Sequence, residues 1–128
     1  MTSDFPPLRL LYIEDNPLIV FHVEAMVEDH GHIFVGSVAS FEELLEEFSG
    51  LDINAALVDI DLGDGRTGPA AAGWLQDRGI PSIFVTGQTE VAAEHSTVVL
   101  GTVAKPIADQ DLADNLGLLL EHLRSGAG

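Results

Sequence analysis

Five polar residues stand at the ends of short apolar runs in this sequence. They are Glu14, Asp15, Asp59, Thr86 and Lys105. Burial of a lone carboxylate is costly, so acids that gather at the ends of buried segments indicate a shared cation. Carboxylate oxygens suit a hard cation such as Mg²⁺, and an aspartate beside such a cation can attack phosphorus as a nucleophile. The residue types therefore predict phosphoryl-transfer chemistry.

The elements that position these residues follow from the hydrophobic pattern. Apolar runs alternate with helical patterns, which predicts βαβ units and a parallel sheet. The predicted strands cover residues 8–13, 33–38, 54–60, 81–87 and 98–105. The predicted helices cover residues 16–31, 41–50, 68–79 and 108–126, with at most a turn or two of helix in 88–97. We expect an α/β fold with a doubly wound five-stranded sheet, in which the five polar residues meet at one edge.

At that edge each polar residue has a role that its chemistry suggests. The expected Mg²⁺ ligands are Glu14, Asp15, Asp59 and the backbone carbonyl of Asp61. Asp59 lies between the acidic pair and Lys105, so it is the expected nucleophile. Mg²⁺ and Lys105 neutralise the phosphoryl oxygens during in-line transfer. Thr86 then donates a hydrogen bond to the attached phosphoryl group.

Composition excludes several classes of function. The chain has 128 residues, which predicts one domain with a core over about residues 8–124. Its formal net charge of −16 repels phosphate backbones and anionic lipid, so nucleic acid and membranes are not expected partners. Cysteine, a signal peptide and a membrane-spanning apolar run are all absent from the sequence, which fits the cytoplasm. The chain ends directly after the last predicted helix, so we expect no output domain.

Four fragments occur in an order and at a spacing that resemble the receiver domains of response regulators in two-component signalling. They are LLYIEDNPL, ALVDIDLGDG, IFVTG and VAKPI, and they extend over nearly the whole chain. The resemblance implies a flavodoxin-like three-layer sandwich with strand order 2-1-3-4-5 and a cis peptide bond between Lys105 and Pro106. It also implies a single-domain phosphoacceptor protein rather than a turnover enzyme.

The resemblance assigns the family's roles to the matching residues. Asp59 accepts a phosphoryl group from a histidine kinase or a phosphotransfer protein, and the acidic pair binds Mg²⁺, or Mn²⁺ in its place. Thr86 and Lys105 sense the phosphate. The protein then signals, or acts as a phosphate sink, through contact with a downstream protein.

Two features depart from the usual receiver pattern. Thr102 stands where receivers carry Tyr or Phe, three residues before the lysine. Only eighteen residues separate Thr86 from Lys105, so the fourth helix should be short or irregular. Both features are similar to the alphaproteobacterial single-domain receivers called the FAT-GUY class, whose motif has an alanine where Val85 stands here. Members of that class are often linked to general stress-response phosphorelays.

Without the usual aromatic residue at position 102, another segment must report the phosphate. The expected switch residues are Gly87 and Gln88, with Thr102 at the position of the missing aromatic. We expect the Thr86 hydroxyl group to move to the phosphoryl group and to pull residues 87–97 inward. This segment would then be mobile without phosphate and ordered with it.

Two other classes of function fit parts of the pattern. A pseudo-receiver has the same fold but serves only for protein contact, and the missing aromatic residue favours that interpretation. A phosphatase of the haloacid-dehalogenase type also uses an aspartate nucleophile in a motif like the DID at residues 59–61. Binding of beryllofluoride distinguishes a phosphoacceptor from a pseudo-receiver, and turnover of a small phosphoester identifies a phosphatase.

The first predicted helix carries two apolar stripes, of which only one can face the sheet. One stripe consists of Ile19, Val23, Met26 and Val27. The other consists of Val20, Phe21 and Ala25. The second stripe is either a docking surface for a kinase or phosphotransfer helix, or part of a broadly buried helix.

Overall fold

A computed structural model of the chain describes residues 6–126. Five parallel strands form one sheet in the order β2-β1-β3-β4-β5, as predicted. The strands are β1 (Arg9–Ile13), β2 (Ile33–Val38), β3 (Ala55–Val58), β4 (Ser82–Thr86) and β5 (Thr102–Ala104). The helices are α1 (Pro17–Asp29), α2 (Phe41–Glu47), α3 (Gly68–Gln76), α4 (Thr89–Glu94) and α5 (Asp109–Ser125), with short 3-10 turns at Phe48–Gly50 and Ser96–Val98.

The sheet separates two hydrophobic cores, which makes the molecule a three-layer sandwich. Because side chains alternate along a strand, Leu10 and Tyr12 face one layer while Leu11 and Ile13 face the other. The first core packs against α1 and α5. The second packs against α2, α3 and α4. Strands buried on both faces place their last residues at a common edge, where polar groups can gather.

Local sequence signals define where the helices begin and end. Asn16 Oδ1 accepts a hydrogen bond from the Leu18 amide over 3.0 Å, which caps α1 before Pro17. Gly31 follows the helix with a φ of 86°, a left-handed conformation that favours glycine. At the next helix, the Ser40 hydroxyl group accepts from the Glu43 amide over 3.0 Å. These contacts confirm the predicted start of both helices.

The fifth strand is shorter than predicted. The run 98–105 forms a strand only at Thr102–Ala104, because Ser96–Val98 makes a 3-10 turn. Val98 and Val99 pack against the core beside α2, α3 and α4, so their apolar character reflects this packing rather than strand pairing. The third strand also ends earlier than predicted, at Val58, so Asp59 lies just beyond it.

The fourth helix is short, as predicted. It has six residues, Thr89–Glu94, and the following 3-10 turn leads directly toward β5. Within residues 6–126, none of the helices combines the length and the apolar character that a bilayer crossing requires.

Candidate functional site

The candidate site lies at the carboxyl ends of β1 and β3. The chain runs from β1 through α1 to β2 on one side of β1, and then crosses over through α2 to β3 on the other side. The space between the carboxyl ends of β1 and β3 is therefore the switch point of the sheet. Carboxylate oxygens of Glu14, Asp15 and Asp59 lie within 4.8 Å of one another there. Within residues 6–126, no other group of three acidic, histidine or cysteine side chains comes so close.

Lys105 supplies a positive charge to this cluster. Its Nζ atom lies 2.6 Å from Glu14 Oε1 and 2.9 Å from Asp59 Oδ2. Burial by itself lowers the pKa of the lysine, but the hydrogen bonds and charges of the two carboxylates outweigh it and raise that pKa. The ammonium group therefore stays charged. The peptide bond from Lys105 to Pro106 is cis, as predicted.

Glu14 is the most deeply buried acid of the cluster, with 2% of its side chain exposed. Its Oε1 also accepts a hydrogen bond from the Tyr12 hydroxyl group over 3.1 Å, and its Oε2 accepts one from the Asn16 amide over 3.1 Å. Burial raises the pKa of Glu14, and the hydrogen bond from Lys105 opposes that rise. Asp15, by contrast, is exposed, so its carboxylate is open to a solvated cation.

Asp59 is held by hydrogen bonds of both its backbone amide and its carboxylate. Its amide donates to the Ile13 carbonyl over 2.9 Å, which joins it to the end of β1. Its Oδ1 accepts from the Ile60 amide over 2.7 Å, while its Oδ2 contacts Lys105. The side chain is 10% exposed, so the carboxylate is oriented but remains reachable from the surface.

The loop after Asp59 is fastened by two further aspartates. Asp61 Oδ1 accepts from Arg66 Nε over 2.9 Å, and this hydrogen bond lowers the pKa of Asp61 below its ordinary value. Asp64 accepts from the amides of Phe41 and Glu42, which ties the loop to the first turn of α2. Asp64 is therefore a structural residue, and the carbonyl of Asp61 as a metal ligand stays a prediction.

Thr86 ends β4 in a fully buried position. Its Oγ1 accepts a hydrogen bond from the Gln88 amide over 2.9 Å, and its carbonyl accepts one from the Lys105 amide over 3.0 Å. Gly87 and Gln88 are exposed at the start of the segment that contains α4. Thr102 is exposed on β5, where it pairs with Phe84. The threonine is thus linked through its hydroxyl group to the predicted switch segment.

The donor set fits a magnesium ion. All three clustered side chains offer carboxylate oxygens, the ligands that Mg²⁺ prefers. The contacts that Lys105 makes with two of them show that these oxygens attract positive charge. Asp15 and Asp59 are the more open carboxylates, and Glu14 is already engaged by three donors.

Residues 10–117 match the family described as the response regulator receiver domain. This chain belongs to the receiver domain family. Among its curated relatives is the phyllosphere-induced regulator PhyR of Methylorubrum extorquens, which is 36% identical over 84 residues. That match covers 64% of this chain but only 32% of the relative, so the matched segment is about a third of that protein's length.

Solved structures of receiver domains have the same fold. The receiver domain of PhyR from Erythrobacter litoralis is 26% identical, with a TM-score of 0.81, and the match covers 91% of this chain and 92% of that one. PhyR from Brucella abortus is 31% identical with a TM-score of 0.78, over 96% of this chain and 51% of that one. A variant of PhyR from Bartonella quintana, described as an anti-anti-sigma factor, is 28% identical with a TM-score of 0.77. That match covers 96% of this chain and 52% of the other.

The second apolar stripe of α1 in this receiver domain is only partly exposed. Phe21 is 73% exposed and Ala25 is exposed, whereas Val20 is half-buried against the core. Val23 and Val27 of the other stripe are fully buried. The helix therefore packs as an amphipathic element, and Phe21 is the most prominent of the three proposed docking residues.

Sequence reasoning missed Tyr12 as a member of the site. The residue reads as one more apolar position of β1, since its neighbours Leu11 and Ile13 are core residues. One signal could have indicated it. Tyr12 stands two residues before Glu14, so its hydroxyl group and the Glu14 carboxylate are expected on the same face of the strand. A buried phenol needs a hydrogen-bond partner, and Glu14 is the acceptor within reach.

Proposed function

We propose that this receiver domain is a response regulator that accepts a phosphoryl group on Asp59 in a Mg²⁺-dependent reaction. The observation that carries the proposal is the position of Lys105, whose Nζ lies 2.9 Å from Asp59 Oδ2 and 2.6 Å from Glu14 Oε1. A lysine held against an aspartate and a carboxylate cluster matches the needs of phosphoryl transfer, in which oxygens of the transferred group must be neutralised.

The proposed reaction moves a phosphoryl group from a phosphohistidine of a histidine kinase or phosphotransfer protein. A carboxylate oxygen of Asp59 forms a bond to phosphorus as the N–P bond of the phosphohistidine breaks, and the imidazole nitrogen keeps the electron pair. Lys105 binds an oxygen of the transferred group, and Thr86 donates its hydroxyl hydrogen to another. Asp15 and Asp59, with support from Glu14, would hold a Mg²⁺ ion, which would supply additional neutralising charge.

The output that we propose is a protein contact. The formal net charge of −16 disfavours nucleic acid and anionic membranes, and it is compatible with a cytoplasmic protein. The similarity to PhyR proteins, one of which is described as an anti-anti-sigma factor, supports a place in a regulatory phosphorelay. The chain then acts as a regulator or as a phosphate sink. The short α4 and Thr102 also support the FAT-GUY subclass.

The experiment that tests this function is phosphorylation with acetyl phosphate. We expect Mg²⁺ and acetyl phosphate to add one phosphoryl group, seen as a mass increase, and Asp59→Asn to abolish it. Asp52→Asn is a matched control, because Asp52 is an exposed aspartate paired with Arg9 on the surface. Labelling of Asp59→Asn at the level of the control would reject Asp59 as the acceptor.

A pseudo-receiver is the second candidate, and Thr102 favours it because the usual aromatic switch is missing. In that case the domain contacts its partner without phosphorylation. Beryllofluoride, which mimics the phosphoryl group on an aspartate, separates the two functions. Tight binding with Mg²⁺ supports the phosphoacceptor, and failure to bind supports the pseudo-receiver.

A further inference from the structure

Tyr12 places a buried phenol against the acidic site. It lies two residues before Glu14 on β1, so both side chains project from the same face of the strand. The residue is fully buried, and its ring packs in the core shared with α1 and α5. Its hydroxyl group donates to Glu14 Oε1 over 3.1 Å. A phenylalanine would fill the same space, so the hydroxyl group is the feature that requires an explanation.

Three donors hold the Glu14 carboxylate, and they differ in what else they bind. The Asn16 amide donates to Oε2, while the Tyr12 hydroxyl group and Lys105 Nζ both donate to Oε1. Lys105 is shared, because it also contacts Asp59. Within residues 6–126, the Tyr12 hydroxyl group donates to Glu14 but makes no hydrogen bond to Asp15 or Asp59. Oε1 therefore has one donor that can be drawn away and one that stays.

We propose that Tyr12 is a positioning residue that allows Lys105 to leave Glu14 for a phosphoryl group on Asp59. The inference rests on the proposed phosphoacceptor function. New negative charge at Asp59 attracts Lys105 Nζ and weakens its bond to Glu14 Oε1. A buried carboxylate oxygen that loses its donor is destabilised, and Tyr12 prevents this because its hydroxyl group remains on the same oxygen.

This arrangement makes the contribution of Tyr12 state-dependent. In the resting state Lys105 already satisfies Oε1, so removal of the phenol hydroxyl leaves that oxygen with a strong charged donor. In the phosphorylated state Tyr12 becomes the principal donor to Oε1. A purely structural tyrosine would stabilise both states equally and would leave the affinity for a phosphoryl mimic unchanged.

The test is the affinity for beryllofluoride in the presence of Mg²⁺, measured by calorimetry. We expect Tyr12→Phe to weaken it about five- to tenfold, the effect of losing one hydrogen bond in the bound state. Ser82→Ala is the matched control, because Ser82 also carries a buried hydroxyl group but stands at the opposite end of the sheet. We expect the affinity of Ser82→Ala for beryllofluoride to equal that of the wild type.

A double-mutant cycle ties the effect to Glu14. In a Glu14→Ala background, Tyr12→Phe should cause no further loss of affinity, since its partner is gone. An equal loss in both backgrounds, or wild-type affinity in Tyr12→Phe, would overturn the inference while leaving the phosphoacceptor function intact. Failure of the wild type to bind beryllofluoride would reject both.

A measurement on the unaltered protein covers the case in which Tyr12→Phe fails to fold. Tyr12 is the single tyrosine of the chain, so its labelled ring gives one NMR signal for the carbon that bears the hydroxyl group. We expect this signal to shift when beryllofluoride binds, because the bond to Glu14 strengthens as Lys105 leaves. An unchanged signal on full binding would contradict the inference.

Discussion

Gly68 lies directly against the backbone of Asp59. A Cβ atom built on Gly68 would overlap the carbonyl oxygen of Asp59 and would lie 2.6 Å from the Cα atom of Ile60. The first residue of α3 therefore approaches the candidate phosphoacceptor more closely than any side chain permits. The Gly68 amide also donates to the Ile60 carbonyl over 3.0 Å, which holds the two segments together.

The first prediction follows from this close approach. Gly68→Ala should lower the free energy of unfolding by about 1–3 kcal/mol, because backbone atoms must shift to admit the methyl group. It should also slow phosphorylation, since the shift displaces Asp59. Urea denaturation and acetyl phosphate labelling measure the two effects. Gly117→Ala in α5 is the control, because no atom beyond the neighbouring residues and backbone of its own helix lies within 4 Å of the added methyl group. That control should be neutral or stabilising, and a neutral Gly68→Ala would contradict the packing.

The second prediction concerns the metal. Asp15→Asn should weaken Mg²⁺ binding about tenfold. Glu14→Gln should weaken it by less. The reason is that Asp15 is exposed, while Glu14 already accepts three hydrogen bonds, so we expect Glu14 to reach the ion only through a water. Calorimetric titration with Mg²⁺ measures both variants. Equal losses would indicate that both carboxylates contact the ion directly.

The third prediction concerns the segment 87–97. The Gln88 amide donates to Thr86 Oγ1 in the resting state, so movement of that hydroxyl group to a phosphoryl group must release the amide. We expect residues 87–97 to be mobile without beryllofluoride and ordered with it. Backbone relaxation by NMR is the measurement. Equal rigidity in both states, with changes only around α1, would reject this segment as the switch.

The fourth prediction concerns alkaline pH. Burial raises the pKa of Tyr12 well above its ordinary value of 10.0, so the folded state binds this proton more tightly than the unfolded state. The resulting stability is present below pH 10 and is lost as the pH rises further. Lys105, whose pKa is also raised, adds to the loss. Tyrosinate absorbance should therefore develop together with unfolding, and Tyr12→Phe should make the loss of stability less steep. Tyrosinate in a still-folded protein would contradict this expectation.

The fifth prediction concerns docking on α1. Phe21→Ala should slow phosphotransfer from the cognate kinase or phosphotransfer protein about tenfold, because a 73% exposed phenylalanine offers apolar area to a partner helix. Labelling by acetyl phosphate should not change, since Phe21 lies outside the acidic cluster. Leu45→Ala on α2 is the control, as Leu45 is 49% exposed on the opposite layer. Equal transfer rates for both variants would move the docking surface elsewhere.

The sequence predicted the sheet, its order and the edge where the site lies, because strand ends can be recognised from apolar runs. It therefore brought Asp59 and Lys105 together correctly. It placed the start of the fifth strand too early, at residue 98, since apolar residues that pack against neighbouring helices look the same as strand residues. It also gave no sign of the Gly68 contact. Side-chain pairs and close approaches depend on how distant segments meet, and periodicity carries no information about that.

The ion pair between Glu14 and Lys105 joins residues that are 91 positions apart in the chain. The acids that need a cation all precede residue 60, whereas the lysine follows β5. A contact of such long sequence separation requires the closure of a large loop, whose entropic cost other contacts must offset. Because synthesis runs from the N-terminus, the three carboxylates emerge before their counter-ion, and the electrostatic balance of the pocket is complete only once the segment that follows β5 has docked.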